Sequence, residues 1–298
     1  MGKFIRVLSI ILLVMVSIVL IAVSIYLLSN RTNGAITSSG DRRRYLLYVP
    51  ESYNPETPTP LVINIHGFAQ WPANQMRVSQ WNDVADEYGF IVVYPSGTGF
   101  PWRWRVTDEP DKEVAFISDL ISKLEDDYNI DSSRVYANGL SNGGGMTLLL
   151  ASRLSDRITA VGIVAGALYG VDFDNSQVRP VPAIFFHGEA DPIASYQGGF
   201  YERTGMTIPS VPEFVASYAQ ANGCDPMPTT LMETGNITGI RYSQCKQNAD
   251  VVFYSIADGG HNWPGGTPLP KSITGKTTQE INATELMWEF FQEFSLEQ

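Results

Sequence analysis

RVYANGLSNGG, running from Arg134 to Gly144, is the stretch whose reading decides the fold. Val135, Tyr136 and Ala137 are the core of a strand predicted over Arg134–Asn138, and a helix is predicted to open at Gly143 and run to Arg153. Between them lies Gly139-Leu140-Ser141-Asn142-Gly143, a G-x-S-x-G string. Glycine on either side permits a sharp turn that lifts a serine hydroxyl above a sheet, and the helix start turns backbone N–H groups toward a developing anion. Such a string arises by chance in roughly one chain in ten of this length. Its place between strand and helix therefore carries more weight than its letters.

Outward from this turn, short apolar segments alternate with longer amphipathic ones. Strands are predicted at Arg44–Val49, Leu61–His66, Ile91–Tyr94, Ala160–Val164, Ala183–Phe186 and Val251–Ser255, most of them rich in β-branched or aromatic residues. Helices are predicted at Lys112–Tyr128, Val211–Asn222 and Glu280–Phe294; in the first, Val114, Ile117, Leu120, Ile121 and Leu124 share one face. No internal repeat is present. Strands alternating with helices predict an α/β architecture, a mostly parallel central sheet covered by helices on both faces. Such sheets bind ligands at the carboxyl ends of their strands, and the chemistry is sought there.

A serine hydroxyl is a weak nucleophile until a neighbouring base takes its proton. The chain has three histidines. His66 ends the Leu61 strand in His66-Gly67-Phe68, where an oxyanion-binding loop belongs, and His187 ends another strand as a packing or hydrogen-bonding group. His261 lies late in the chain, in Gly259-Gly260-His261-Asn262-Trp263-Pro264-Gly265-Gly266 after the Val251 strand, and is the candidate base. The candidate acid is Asp191, just past the Ala183 strand, because the chain order serine, acid, histidine then holds. Glu189 and Asp258 are its competitors. The backbone N–H groups of Phe68 and Asn142 are the candidate oxyanion donors. Activity is expected to fall as the imidazole becomes protonated, with no added metal and no cofactor.

The bulk properties bound the answer. With 298 residues, 44% of them hydrophobic, the chain is long enough to bury one sizeable core. A formal net charge of -11 repels phosphate backbones, so nucleic acid is not an expected partner. Val7 to Leu28 carries no charge and follows Lys3 and Arg6, which predicts an N-terminal transmembrane helix, retained as an anchor over 1–29 or removed as a signal segment. A linker is expected at 30–41 and the catalytic domain at 42–298. Cys224 and Cys245 lie in no metal-binding pattern. In an oxidising compartment they would close a loop of about 20 residues, with two unrelated buried thiols as the alternative. Sequons at Asn30, Asn236 and Asn282 are compatible with export and decide nothing. Gly275-Lys276-Thr277 resembles the end of a phosphate-binding loop, but Pro270 stands where the leading glycine is required.

Several of these stretches together resemble an esterase group of the α/β-hydrolase fold. It joins extracellular poly(3-hydroxybutyrate) depolymerases, feruloyl esterases and acetylxylan esterases of carbohydrate esterase family 1. The resemblance runs from about Arg44 to the C-terminus through LVINIHGFAQ at Leu61, VAFI at Val114 and RVYANGLSNGG at Arg134. It continues through HGEADPI and SYQGG between His187 and Gly199, NGC at Asn222, and GGHNWPGG at Gly259. It implies an extracytoplasmic serine esterase with Ser141, Asp191 and His261 as triad, Phe68 and Asn142 as oxyanion hole, and Cys224–Cys245 as a disulfide. Phe68 departs from the cysteine that many depolymerase-like members carry after His-Gly. Trp263, Trp102 and Trp104 are candidates for an aromatic surface against a polyester chain or a phenolic acyl group. The competing class is a catalytically inactive hydrolase fold displayed at the membrane as a binding module.

Overall fold

A computed structural model of the chain describes residues 2–98, 102–103, 110–166, 179–201 and 206–297. In chain order the elements are α1 (Gly2–Ser29), β1 (Gly34–Ser38), β2 (Asp41–Tyr48), β3 (Thr59–Ile65), α2 (Pro72–Ser79), α3 (Trp81–Tyr88) and β4 (Ile91–Pro95). There follow α4 (Asp111–Asp127), β5 (Ile130–Leu140), α5 (Asn142–Arg153), β6 (Ala160–Val164), β7 (Ala183–Gly188), β8 (Gly199–Tyr201), β9 (Met206–Ile208) and α6 (Val211–Ala221). The last are β10 (Thr229–Thr234), β11 (Ile237–Tyr242), β12 (Val251–Ile256), α7 (Lys271–Thr274) and α8 (Ala283–Phe291).

Ten strands form one sheet in the order β1-β2-β4-β3-β5-β6-β7-β12-β11-β10. The middle, from β4 through β12, is parallel throughout. Antiparallel hairpins extend it on both sides. Successive strand residues point to opposite faces, so one continuous sheet supports two cores. On one face Leu61, Ile63, Val93, Ala137, Ile163 and Phe185 pack with Phe116, Leu120 and Leu124 of α4, Leu148 of α5 and Phe214 of α6. On the other, Val62, Val92, Tyr136, Ile184 and Tyr254 meet Trp81 of α3 and Met287, Trp288 and Phe291 of α8. The central strands are buried on both sides, which is why they read as largely apolar rather than alternating.

The structure departs from the expected elements or adds to them in three places. The segment expected as a linker contains β1, paired with β2 around a two-residue turn in which Ser39 and Gly40 both have positive φ, 49° and 82°. That is the backbone hairpin turns favour, and the side chain of Asn33 also bonds the main chain of Leu47 both ways. Part of the segment expected as a linker is thus paired into the sheet. At the opposite edge, β10 and β11 lie in the polar stretch between the cysteines; β10 is almost wholly exposed and lacks the apolar alternation that marks a strand. Thirdly, no helix among the described residues is long and apolar enough to cross a membrane. The spanning helix expected over Val7–Leu28 therefore lacks support. Those side chains that are described, such as Ile10, Leu13, Ile18 and Leu20, are exposed.

Cys224 and Cys245 form a disulfide across a separation of 21 residues. It ties the end of α6 to the loop after β11 and contributes about 3 kcal/mol on the chain-entropy account.

Candidate active site

The turn between β5 and α5 is a nucleophile elbow. Ser141 sits at φ 57°, ψ -115°, a backbone conformation that a non-glycine residue adopts only under constraint. The constraint is close packing. A Cβ at Gly139 would lie 2.5 Å from the backbone of Gly143, and one at Gly143 would lie 2.3 Å from Ile65 O and 2.6 Å from His66 O. Both glycines let the turn press against the end of β3. The first intrahelical bond of α5 runs from Gly145 N–H to Ser141 O at 3.1 Å, so the N–H groups ahead of it, including that of Asn142, have no helical partner.

His261 and Asp191 meet. His261 Nδ1 lies 2.7 Å from Asp191 Oδ2, with both side chains almost fully buried. The other carboxylate oxygen, Oδ1, accepts from the backbone N–H groups of Ile193 at 2.7 Å and Ala194 at 2.8 Å. Their loops are joined: Ala190 N–H donates to Gly259 O at 3.0 Å, and a Cβ on Gly188 would lie 2.1 Å from that same oxygen. The histidine loop is held in turn by the Gly275-Lys276-Thr277 region. His261 N–H donates to Thr274 O at 2.6 Å, Gly260 N–H to Lys276 O at 2.8 Å, and Asn262 Nδ2 to Thr274 O at 3.0 Å. The stretch that resembled a phosphate-binding loop thus serves as a backbone strap. Of the rival acids, Glu189 is exposed and Asp258 is paired with Lys276.

Ser141, Asp191 and His261 follow the carboxyl ends of β5, β7 and β12, strands that run parallel and lie close together in the sheet. The structure joins the histidine and aspartate directly and brings the serine to the same edge. Among the described residues no hydrogen bond links the Ser141 hydroxyl to His261. Such contacts commonly tighten only when substrate binds.

The loop after β3 faces the elbow. Gln70 N–H donates to Gly67 O at 3.3 Å, closing a turn with Ala69 at φ 54° and Phe68, 58% exposed, at its outer corner. A Cβ on Gly67 would lie 3.5 Å from Ser141 Cβ, so this turn borders Ser141. His66 is the staple at its root. Its Nδ1 lies 2.9 Å from Gly67 O and its Nε2 accepts from Gly97 N–H at 3.1 Å, which describes a neutral ring protonated at Nδ1. Burial pushes its pKa down to about 4, because a charge there has no water to solvate it. The unfolded chain then binds a proton that the folded chain refuses, so stability is complete above pH 6.5 and falls as pH drops from 6.5 toward 4. The loss from this one group is about 3 kcal/mol at pH 4. Urea unfolding at several pH values is expected to show this slope in the native protein and a shallower one in His66→Phe. Equal slopes would contradict it.

The tryptophans behave differently from expectation. Trp263 is 1% exposed, donates from Nε1 to Thr284 Oγ1 at 2.9 Å and belongs to the core beneath the site. Trp102 is equally buried, its ring near those of His66 and Phe116. Neither offers a face to solvent. Trp104 lies outside the described residues. What the reading of motifs missed is polar support. The Asn142 side chain clamps the main chain of Trp102, with Oδ1 accepting from its N–H at 2.7 Å and Nδ2 lying 3.4 Å from its carbonyl. Below the elbow, Asn64 of β3 and Asn138 of β5 bond each other, Ser79 reaches Asn64 at 3.0 Å and Trp81 reaches Asn138 at 3.0 Å. A lone asparagine in each of two apolar strands was the signal. A buried pair of Arg43 and Glu113, 2.6 Å apart, pins the start of α4 beside the loop after β4.

The parallel sheet, the strained serine between strand and helix, and the histidine–aspartate pair at the strand ends define an α/β-hydrolase fold. Within it, the chain belongs to the esterase PHB depolymerase family, whose model matches residues 43–212, more than half of the chain. It is similar to feruloyl esterase C of Emericella nidulans, 28% identical over 272 residues that make up 87% of each protein. It is also 28% identical over 229 residues to the bifunctional acetylxylan esterase/xylanase XynS20E of Neocallimastix patriciarum; this covers 75% of the chain and 31% of that longer enzyme. Among solved structures, acetyl xylan esterase from Aspergillus awamori shares the fold with a TM-score of 0.59 at 18% identity, covering 87% of this chain and 98% of that one. Family membership assigns carboxylic ester hydrolysis as the class of reaction.

Proposed function

We propose that the chain hydrolyses carboxylic esters through an acyl-enzyme, with Ser141 as nucleophile, His261 as general base and then general acid, and Asp191 orienting and stabilising the imidazolium. The backbone N–H groups of Phe68 and Asn142 hold the tetrahedral oxygen. In the first step the serine oxygen attacks the ester carbonyl while His261 takes its proton. Collapse of the intermediate expels the alcohol, which receives that proton. Water then repeats the sequence on the acyl-serine and releases the acid, and no cofactor enters. The observation that carries the reading is the 2.7 Å bond between His261 and Asp191 at the strand-end edge that also bears the elbow.

The substrate class we infer is an extracytoplasmic ester of a polymer: a feruloyl or acetyl group on plant polysaccharide, or a polyhydroxybutyrate-type polyester or its oligomers. The disulfide supports an oxidising compartment. The purified protein assayed on feruloylated sugar, acetylated xylan and hydroxybutyrate oligomers is expected to turn over at least one and to leave peptide amides intact. Inactivity on all three with the fold intact would favour a binding module instead. Cell fractionation is expected to recover the chain outside the cytosol with Cys224 and Cys245 oxidised, and recovery in the cytosol with both thiols reduced would contradict the location.

A further inference from the structure

The second histidine of the site region, His187, plays no part in the proposed reaction, yet it is buried against the acid. It ends β7, four residues before Asp191, and is 3% exposed. Its Nε2 lies 2.9 Å from Ala194 O and 3.5 Å from Asp191 Oδ2. Burial lowers its pKa, so the ring is neutral and carries one N–H, and geometry puts that proton on Nε2, facing two oxygens. The groups that charge or titrate against it are Asp191 and His261, with the ring of Tyr196 at 6.1 Å.

Ala194 is the residue that matters. Its own N–H, with that of Ile193, fixes Asp191 Oδ1, while its carbonyl is the group His187 holds. The turn is thus fastened at one end by Asp191 and at the other by the imidazole. Releasing the carbonyl frees Ala194 to rotate, and the carboxylate loses a donor that aims its other oxygen at His261. We infer that His187 is a positioning residue for Asp191, acting through the Ala194 carbonyl. This rests on the triad reading above.

The test uses two substitutions of similar polarity and different reach. A glutamine amide nitrogen sits near the place of Nε2, whereas an asparagine nitrogen sits near Nδ1 and falls short of Ala194 O. His187→Gln is expected to keep kcat within a few-fold of native and to keep the far-downfield proton resonance of the His261–Asp191 bond. His187→Asn is expected to lose that resonance and on the order of 100-fold in kcat, with KM little changed, the scale of a misplacement of about 1 Å. Native kcat and resonance in a folded His187→Asn protein would overturn the inference, as would a folded His187→Gln protein impaired as far as His187→Asn. Should His187→Asn fail to fold, His187→Gln decides against native protein: kcat within a few-fold with the resonance kept supports the inference, and a loss on the order of 100-fold with the resonance gone overturns it. An Asp191→Asn control separates the levels: if it is fully active the triad reading fails, and if it is inactive while both His187 variants are native only this inference fails.

Discussion

Ser141→Ala is expected to reduce ester turnover by about 10⁵- to 10⁶-fold while leaving the fold and its melting temperature essentially unchanged. The scale follows from what each part of the site contributes. A nucleophile and its base act as one unit, so removing either loses nearly the whole covalent route. What survives is a residual rate from oxyanion stabilisation and substrate binding, about 10³- to 10⁴-fold over water. Stability is expected to hold because the Ser141 hydroxyl has no hydrogen-bond partner among the described residues and the side chain loses one oxygen only. The strain at φ 57° remains, since alanine has the same Cβ. A loss below 100-fold, in protein that melts like the native chain, would mean that another group attacks the ester. Steady-state kinetics on a soluble ester, with a check for contaminating wild type, makes the measurement.

Asp191→Asn is expected to cost about 10⁴-fold in kcat. The carboxylate now accepts from both sides. Oδ2 faces His261 Nδ1 at 2.7 Å, and Oδ1 takes two backbone N–H groups. Those backbone donors fix the orientation of an asparagine introduced there, because they require an acceptor at Oδ1. Its amide nitrogen must then face His261, which obliges the imidazole to accept through Nδ1 and to carry its proton on Nε2. In that tautomer Nε2 cannot take the serine proton. The effect is thus one of tautomer as well as charge. Raising the pH should not restore the rate. A kcat within tenfold of native would show that the carboxylate does not set the state of the base.

The reading of the sequence reached the site farther than it reached its surroundings, and the reasons are physical. Ser141, Asp191 and His261 each follow a parallel strand with a buried apolar segment, Val135–Ala137, Ala183–Phe186 and Val251–Tyr254, and glycine stands at or within a few residues of each strand's end. The elbow was legible because Gly139 and Gly143 are demanded by backbone contact, not by preference. The edge strands were not legible. β10 packs almost nothing and so has no apolar face to show, and β1 is announced only by the Ser39-Gly40 turn that joins it to β2. Helices were read to within a few residues where caps are strong. α6 starts after Ser210, whose side chain and that of Glu213 form a capping box, and α8 starts after Asn282 rather than at Glu280 because Asn282 caps it. Side chains that act at a distance left little trace. The Asn142 clamp on Trp102 and the His66 staple on Gly97 bind main chain 40 and 31 residues away, and the His187 grip on Ala194 joins a strand end to the turn beyond it. Nearness to His261 in sequence does not distinguish the floor of a site from its wall. An exposure of 1% does, and it makes Trp263 no surface residue; Trp102 is buried to the same degree.

The central claim is that three loops at one edge of the sheet act as a single unit on an ester. The most direct measurement is labelling with a fluorophosphonate, followed by mass spectrometry of the digested protein. The account predicts one adduct per chain, on Ser141, formed several orders of magnitude more slowly in His261→Ala and absent from Ser141→Ala. An adduct on another serine, or labelling of Ser141 at the native rate without His261, would contradict it.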